Sequence, residues 1–141
     1  MLASRRTVRI EWGDCDPTGI VFYPRYFDYF NACTGTLLTR AGWRRQDMQR
    51  EHQILGFPLV DLRARVVVPS RYGEDVVVES RVTTIGRSSF RIQHKLYKGD
   101  VLAVEASDTR VCVNRSAEKP GEMKATPIPP ELAKKLAEPE S

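Results

Sequence analysis

The sequence predicts an α+β fold in which an antiparallel sheet wraps one long central helix. Three observations carry that expectation. Residues 7–12, "TVRIEW", alternate apolar and polar side chains; residues 24–42 repeat apolar side chains at intervals of three and four; residues 60–115 hold four β-branched runs separated by turn residues. A period of two belongs to a half-buried strand, and a period near 3.6 to a helix with one buried face. A helix followed by several strands is the order expected of layers packed around one core. With 141 residues, 41% hydrophobic and 28% charged, the chain reads as one ordinary globular domain, 1–141.

In the first strand Val8, Ile10 and Trp12 oppose Thr7, Arg9 and Glu11. A loop, "GDCDPTGIVFYP", follows at 13–24. Pro24 suits the first turn of a helix, and Gly42 suits its end. Phe27, Phe30, Thr34, Leu37 and Ala41 form the buried stripe, widened by Tyr26, Cys33 and Leu38. Gly35, inside that helix, costs about 1 kcal/mol relative to Ala and predicts the close approach of another backbone. Residues 43–54 suit a short polar second helix that carries His52.

The four runs, 60–70, 75–85, 88–98 and 101–115, are joined through "SRYGE", "GR" and "GD", which predicts consecutive antiparallel hairpins. Phe90, Ile92, His94 and Leu96 share one face of the third run, so His94 reads as a core histidine. In the fourth, Leu102, Val104 and Ala106 have one parity and Val111 and Val113 the other, which predicts a bulge near Ser107 or Asp108. From about 117 the chain reads as a flexible Pro/Gly-rich segment closed by a short helix that Pro130 opens. A sheet with a single helix leaves edges uncovered, so pairing with a second copy is expected.

The loop at 13–24 concentrates the chemistry. Its D-x-D-x-T-G imitates the opening of a calcium-binding loop, but the twelfth position, where a bidentate Glu is required, is Arg25. No metal site is expected, since His52 and His94 are distant and have no ligand spacing. Cys15, Cys33 and Cys112 include no C-x-x-C pair and imply no disulfide framework. No apolar run reaches the length of a bilayer span and no secretory leader is visible, so a cytoplasmic protein without membrane insertion is expected. The net charge of +4, from 22 basic and 18 acidic residues, favours anionic partners of unspecified kind. Nucleic acid is not expected among them, because the aromatic residues cluster in the helix stripe, where core packing is the simpler account.

Asp14 and Asp16 both suit side-chain capping of turns. Cys15 is a rival nucleophile, but a catalytic thiol needs a base within reach, and strand alternation directs Cys15 away from the face of the two aspartates.

The stretch "RIEWGDCDPTGIVFYPRYFDYFN", residues 9–31, resembles the signature of the hotdog-fold acyl-CoA thioesterases, specifically the 4-hydroxybenzoyl-CoA thioesterase family. The strand pattern and the "GRSSF" hairpin extend the resemblance over nearly the whole chain. It implies a hotdog domain that hydrolyses an acyl-CoA to a free acid and CoA. No separate cofactor is implied, because coenzyme A is part of the substrate and a product. The resemblance also implies a dimer as catalytic unit, with paired dimers forming a tetramer.

Asp16 corresponds to the family's catalytic carboxylate, either attacking the thioester or activating a water; Asp14 keeps the capping role. The Tyr23 N–H, at the helix start, is the expected donor to the carbonyl oxygen. Gly19, Ile20, Val21, Asn31 and Pro58 are implied to line the acyl site, and Gly86, Arg87, Ser88 and Ser89 to meet CoA. Some relatives carry several charges where this turn has one Arg; Arg63, Arg65, Arg71 and Lys95 could compensate. Asn31 stands where hydroxybenzoyl relatives have an acid, with Asp28 one turn earlier. An aryl-CoA such as 4-hydroxybenzoyl-CoA is therefore the expected substrate, its hydroxyl less sharply discriminated. The alternatives are a short-chain aliphatic acyl-CoA thioesterase and a non-catalytic acyl-CoA or acyl-carrier binding or scaffold protein. Hydratase chemistry, which uses a helix His, is disfavoured because residues 24–41 contain none.

Overall fold

Two sheets and three helices make up the computed structural model, which describes residues 1–51 and 53–139; His52 lies outside the described residues. In chain order the elements are β1 (Ala3–Arg9), a 3-10 turn (Trp12–Asp14), α1 (Pro24–Arg40), α2 (Arg45–Glu51), β2 (Ile54–Gly56), β3 (Leu59–Val66), β4 (Asp75–Ile85), β5 (Ser89–Lys98), β6 (Val101–Val111), β7 (Val113–Arg115), β8 (Met123–Ala125) and α3 (Pro130–Ala137). The large sheet has the order β1-β4-β5-β6-β3 and the small one β2-β7-β8.

Alternation decides which face of the large sheet is covered. Val76, Val78, Ser80 and Val82 of β4 are buried, as are Phe90, Ile92, His94 and Leu96 of β5. Across that face α1 buries Tyr26, Tyr29, Phe30, Cys33, Thr34 and Leu37. The apolar core has two parts. One joins the first half of α1 to Val76, Val78, Leu96 and Val104, and the other joins Leu37 to Val82, Phe90 and Ile92. The expected α+β architecture around one long helix is present.

Several details depart from the sequence expectations. β1 starts earlier than the alternating run and stops before Trp12, which enters the 3-10 turn and is 62% exposed. β3 does not form a hairpin with β4, because β1 occupies that edge of β4, pairing Thr7 with Val77; β3 pairs instead with β6 on the far side. The fourth run needs no bulge at Ser107 or Asp108. Its register shift lies opposite Leu96 and Tyr97, and the buried parity continues through Asp108 to Cys112 before Val113 enters the small sheet. Space around Gly35 is open, with no backbone packed against it in the chain. The segment from 117 is not loose throughout: β8 pairs with β7, and α3 buries Leu132 and Leu136 in the second part of the core. β3 remains an edge strand, exposed along most of its length.

Candidate active site

The loop after β1 folds back as a tight hairpin. Asp16 N–H donates to Ile20 O at 2.9 Å and Gly19 N–H to Asp16 O at 2.9 Å, which puts Pro17, Thr18 and Gly19 at the tip. Gly19 has φ of 84°, the left-handed region that a glycine reaches without strain. The hairpin is fastened to residues 70–72, since Val21 N–H donates to Ser70 O at 2.9 Å and Tyr72 N–H to Gly19 O at 3.3 Å. The "SRYGE" link thus holds this loop in place of turning a hairpin.

Within the loop the two aspartates divide their roles. Asp14 caps the 3-10 turn, accepting from Glu11 N–H at 3.1 Å. Its Oδ1 lies 3.8 Å from the Arg25 Nε. Asp16 is half-buried, and its Oδ1 accepts from both the Thr18 N–H, at 2.8 Å, and the Thr18 hydroxyl. Its Oδ2 has no partner among the described residues. Asp16 therefore makes the turn contact that composition suggested and keeps one oxygen open.

Between them, Cys15 is held as a thiol, its pKa raised by desolvation and then by the carboxylates of Asp14 and Asp16. A protonated thiol is a poor nucleophile. Burial, and then Asp14, likewise push the nearby Tyr29 hydroxyl well above its ordinary range, so it stays neutral.

At the start of α1, Phe22 N–H donates to Asp14 O and Arg25 N–H to Phe22 O, and Pro24 has no N–H. The Tyr23 N–H has no acceptor among the described residues. It is an unpaired donor at a helix N-terminus, where the helix dipole favours negative charge. Ile20, three residues earlier, is half-buried and bridged to Arg71. Val21 instead has its side chain in the core and its N–H committed to Ser70, so it serves the fold.

A second polar group lies under α1. Ser80 Oγ is 2.7 Å from His94 Nδ1, and His94 Nε2 is 2.8 Å from Asp108 Oδ2. The order serine, histidine, carboxylate imitates a hydrolytic triad, but Ser80 and His94 are fully buried and Asp108 is 3% exposed. Ser80 and His94 lie within the core, and Phe30 stacks on the imidazole with ring centroids 4.8 Å apart. His94 is a satisfied core histidine. The chain of contacts continues outward: Arg110 Nε lies 3.7 Å from Asp108 Oδ1, Nη1 donates to Phe57 O at 3.3 Å, and Nη2 donates to Asn31 Oδ1 at 3.0 Å. Asn31 and Arg110 border a cavity of about 280 Å³ otherwise walled by Phe27, Asp28, Phe30, Leu59, Leu62 and Asp108. Pro58, whose carbonyl accepts from Val111 N–H, follows Phe57 at the same end. Sequence reasoning missed Arg110 and Asp108. Their shared parity with Ala106 on β6 was the available signal.

The Gly86–Ser89 turn joins β4 to β5. Gly86 N–H donates to Ser89 O at 2.7 Å, and a Cβ at Gly86 would stand 3.2 Å from Ser89 Oγ. Ser88 O accepts from Cys112 N–H and Arg87 O from Ile128 N–H, both at 2.8 Å, so the turn is pinned while the Arg87 side chain is exposed. This turn is at the opposite end of β4 from the Asp16 loop, roughly 30 Å away by strand geometry. One chain does not bring them together. A larger cavity, about 570 Å³, opens between Trp43, α2 and α3 and contains none of the expected site residues. Among the described residues no group of three His, Cys, Asp or Glu side chains is arranged to hold a metal ion, and no helix is long and apolar enough to cross a membrane.

Residues 10–136 match the family model described as the thioesterase-like superfamily. The chain belongs to that superfamily. Within it, the chain is 32% identical over 119 residues to the 4-hydroxybenzoyl-CoA thioesterase of Pseudomonas sp. strain CBS-3, covering 79% of this chain and 83% of the relative. The solved three-dimensional structure of 4-hydroxybenzoyl-CoA thioesterase from that strain superposes with a TM-score of 0.86 at 26% identity, over 96% of this chain and 99% of the other. A gentisyl-coenzyme A thioesterase structure, at 24% identity and a TM-score of 0.80 over 94% and 99% of the two chains, shares the fold. The resemblance read from residues 9–31 is borne out, and so is the hotdog fold. As a member of this thioesterase superfamily the protein is an acyl-CoA thioester hydrolase.

Proposed function

We propose that this thioesterase hydrolyses an aryl-CoA, such as 4-hydroxybenzoyl-CoA, to the free acid and CoA, with Asp16 as its catalytic carboxylate. The observation that carries the reading is the Asp16 side chain, with one oxygen fixed by Thr18 and the other open, in the loop that leads to the uncommitted Tyr23 N–H. The open oxygen can attack the thioester carbon, forming a mixed anhydride as the C–S bond breaks and CoA thiolate leaves. Water then cleaves the anhydride and restores the carboxylate. Alternatively the same oxygen takes a proton from a water that attacks directly. Both routes place negative charge on the carbonyl oxygen, and the Tyr23 N–H is the donor that meets it. A donor of this kind is worth about 3 kcal/mol of barrier.

The aryl group is supported by the substrate in the name of the Pseudomonas relative and by Phe27 and Phe30 in the cavity wall. Self-association is supported by reach. Asn31 is eight residues along α1 from Tyr23, about 12 Å, which exceeds the span of one aromatic ring. Arg87 is farther still from Asp16. A single substrate that touches all of these draws on two copies of the chain, and the open edge of β3 offers a surface for that pairing.

Thiol release from benzoyl-, 4-hydroxybenzoyl-, acetyl- and long-chain acyl-CoAs tests the reading. The aryl thioesters should be preferred, and Asp16→Asn should lower kcat by at least ~10²-fold with folding intact. Turnover of aliphatic substrates alone would remove the aryl assignment. Near wild-type activity in the Asn variant would remove Asp16.

A further inference from the structure

We infer that Asp14 is a positioning residue, which holds the start of α1 so that the Tyr23 N–H is aimed at the carbonyl oxygen of the thioester. The inference rests on the reading of Tyr23 as the donor and names what holds it. A helix start is commonly fixed by a capping side chain, but α1 has no side-chain cap hydrogen bond at Tyr23, its cap position. Phe22 does the fixing instead. Its N–H donates to Asp14 O at 2.8 Å, and its carbonyl accepts from the Arg25 N–H at 2.9 Å. The Phe22 carbonyl and the Tyr23 N–H belong to one planar trans peptide, so they point in opposite directions. With the carbonyl drawn toward Arg25, the N–H is directed out of the end of the helix.

Asp14 is itself fixed before α1 begins. Its Oδ2 accepts from the Glu11 N–H at 3.1 Å, and the Glu11 side chain accepts in return from the Asp14 N–H, a reciprocal capping box. When that box opens, Asp14 O shifts, Phe22 follows, and the peptide plane tips. Asp14 also stands two residues before Asp16, so the box sets the donor relative to the carboxylate. The Asp14 side chain brings two properties, a hydrogen-bond acceptor and a charge. The charge is the lesser one, because its pairing with Arg25 spans 3.8 Å between partly exposed groups, and such pairs contribute little. A neutral acceptor of the same shape therefore suffices at position 14, whereas Asp16 needs its charge to attack or to take a proton. The two aspartates of one loop should respond oppositely to the same substitution.

Steady-state kinetics on the best acyl-CoA of the panel provide the first test. Asp14→Ala should lower kcat about tenfold with KM little changed, a part of the roughly 10²–10³-fold that loss of an oxyanion donor costs. Asp14→Asn should keep most of the rate. Glu11→Ala, at an exposed position, opens the box from the other side and should lower kcat in the same way, and Glu11→Gln should restore it. The Glu11 pair decides the matter if Asp14→Ala does not fold. Infrared spectroscopy reads the donor directly, through the carbonyl stretch of ¹³C-labelled benzoyl-CoA bound to Asp16→Asn, or of labelled acetyl-CoA if aryl thioesters are refused. That stretch should lie below the value for the free thioester. Adding Asp14→Ala to this background should return it part of the way, and adding Asp14→Asn should not. No lowering in Asp16→Asn alone removes the Tyr23 donor, and the inference with it. A lowering that survives Asp14→Ala intact, or an Asp14→Asn variant as slow as Asp14→Ala, overturns the inference and leaves the donor standing.

Discussion

Thr18 holds one oxygen of Asp16 twice, through its N–H at 2.8 Å and through its hydroxyl, and leaves the other oxygen of the carboxylate clear. Both contacts lie within a three-residue tip closed by Gly19, so the carboxylate is aimed by local geometry and not by a distant partner. A group aimed before the substrate arrives does not need to be ordered during the reaction.

Thr18→Val removes the hydroxyl and keeps the backbone contact. We expect kcat on the best acyl-CoA to fall about tenfold with KM little changed, since one charged hydrogen bond is worth roughly 1.5–3 kcal/mol. Thr18→Ser should retain most of the rate. Steady-state kinetics decide it. A Val variant as fast as wild type would mean that the hydroxyl does not position Asp16.

Arg87→Ala should raise KM for an acyl-CoA more than it lowers kcat, because a phosphate contact remote from the carbonyl contributes mainly uniform binding. The difference should shrink at high salt, where the charge is screened. The acyl-pantetheine thioester, which lacks the nucleotide, should be handled alike by both proteins. An equal loss on both substrates would rule out phosphate recognition by Arg87.

The long helix, the four main strands and the loop at 13–24 were legible in the sequence because each rests on local chemistry: the 3.6 repeat from Tyr26 to Ala41, alternation in β4 and β5, and the Asp-Pro-Thr-Gly tip. Strand order was not legible. The competition between β1 and β3 for the edge of β4 is a long-range choice that spacing alone does not encode. The small sheet was missed because Ile54–Gly56 and Met123–Ala125 are too short to show a period. A bulge was read near Ser107 or Asp108 because Val111 and Val113 break the apolar parity of Leu102, Val104 and Ala106, whereas the buried positions continue through Asp108 to Cys112. The partner of Asp108, His94, is fourteen residues earlier, and only the pairing of β5 with β6 brings the two together.

That pairing predicts a stability effect. Asp108→Ala leaves the Arg110 guanidinium and the His94 ring without their buried partner, and breaking a buried ion pair from one side costs about 3–5 kcal/mol. For a domain of this size the thermal midpoint should fall by roughly 10 °C. The exposed Arg9–Asp75 pair provides the contrast: its N···O distance of 3.0 Å is good, yet Asp75→Asn should leave the midpoint nearly unchanged. Thermal unfolding of the two variants tests both statements. Similar midpoints would mean that the buried network contributes no more than a surface pair.

The last prediction concerns alkaline pH. Cys112 is fully buried, and burial raises its thiol pKa from an ordinary 9.0 to about 11. The folded chain therefore holds this proton more tightly than the unfolded chain does. Below pH 9 both states are protonated and the thiol's full contribution to stability is present. As pH rises from 9 toward 11 the unfolded thiol ionises first, so that contribution is lost. The free energy of unfolding should decline across this interval more steeply in the wild type than in Cys112→Ala, which has no group to titrate there. The Tyr29 hydroxyl, also raised chiefly by burial, acts in the same direction in both proteins and cancels from the comparison. Urea unfolding at several pH values between 8 and 11 measures the two slopes. The variant can be less stable throughout, since it leaves a cavity, but only the slope bears on the prediction. Parallel curves would show that the buried thiol does not couple proton release to unfolding.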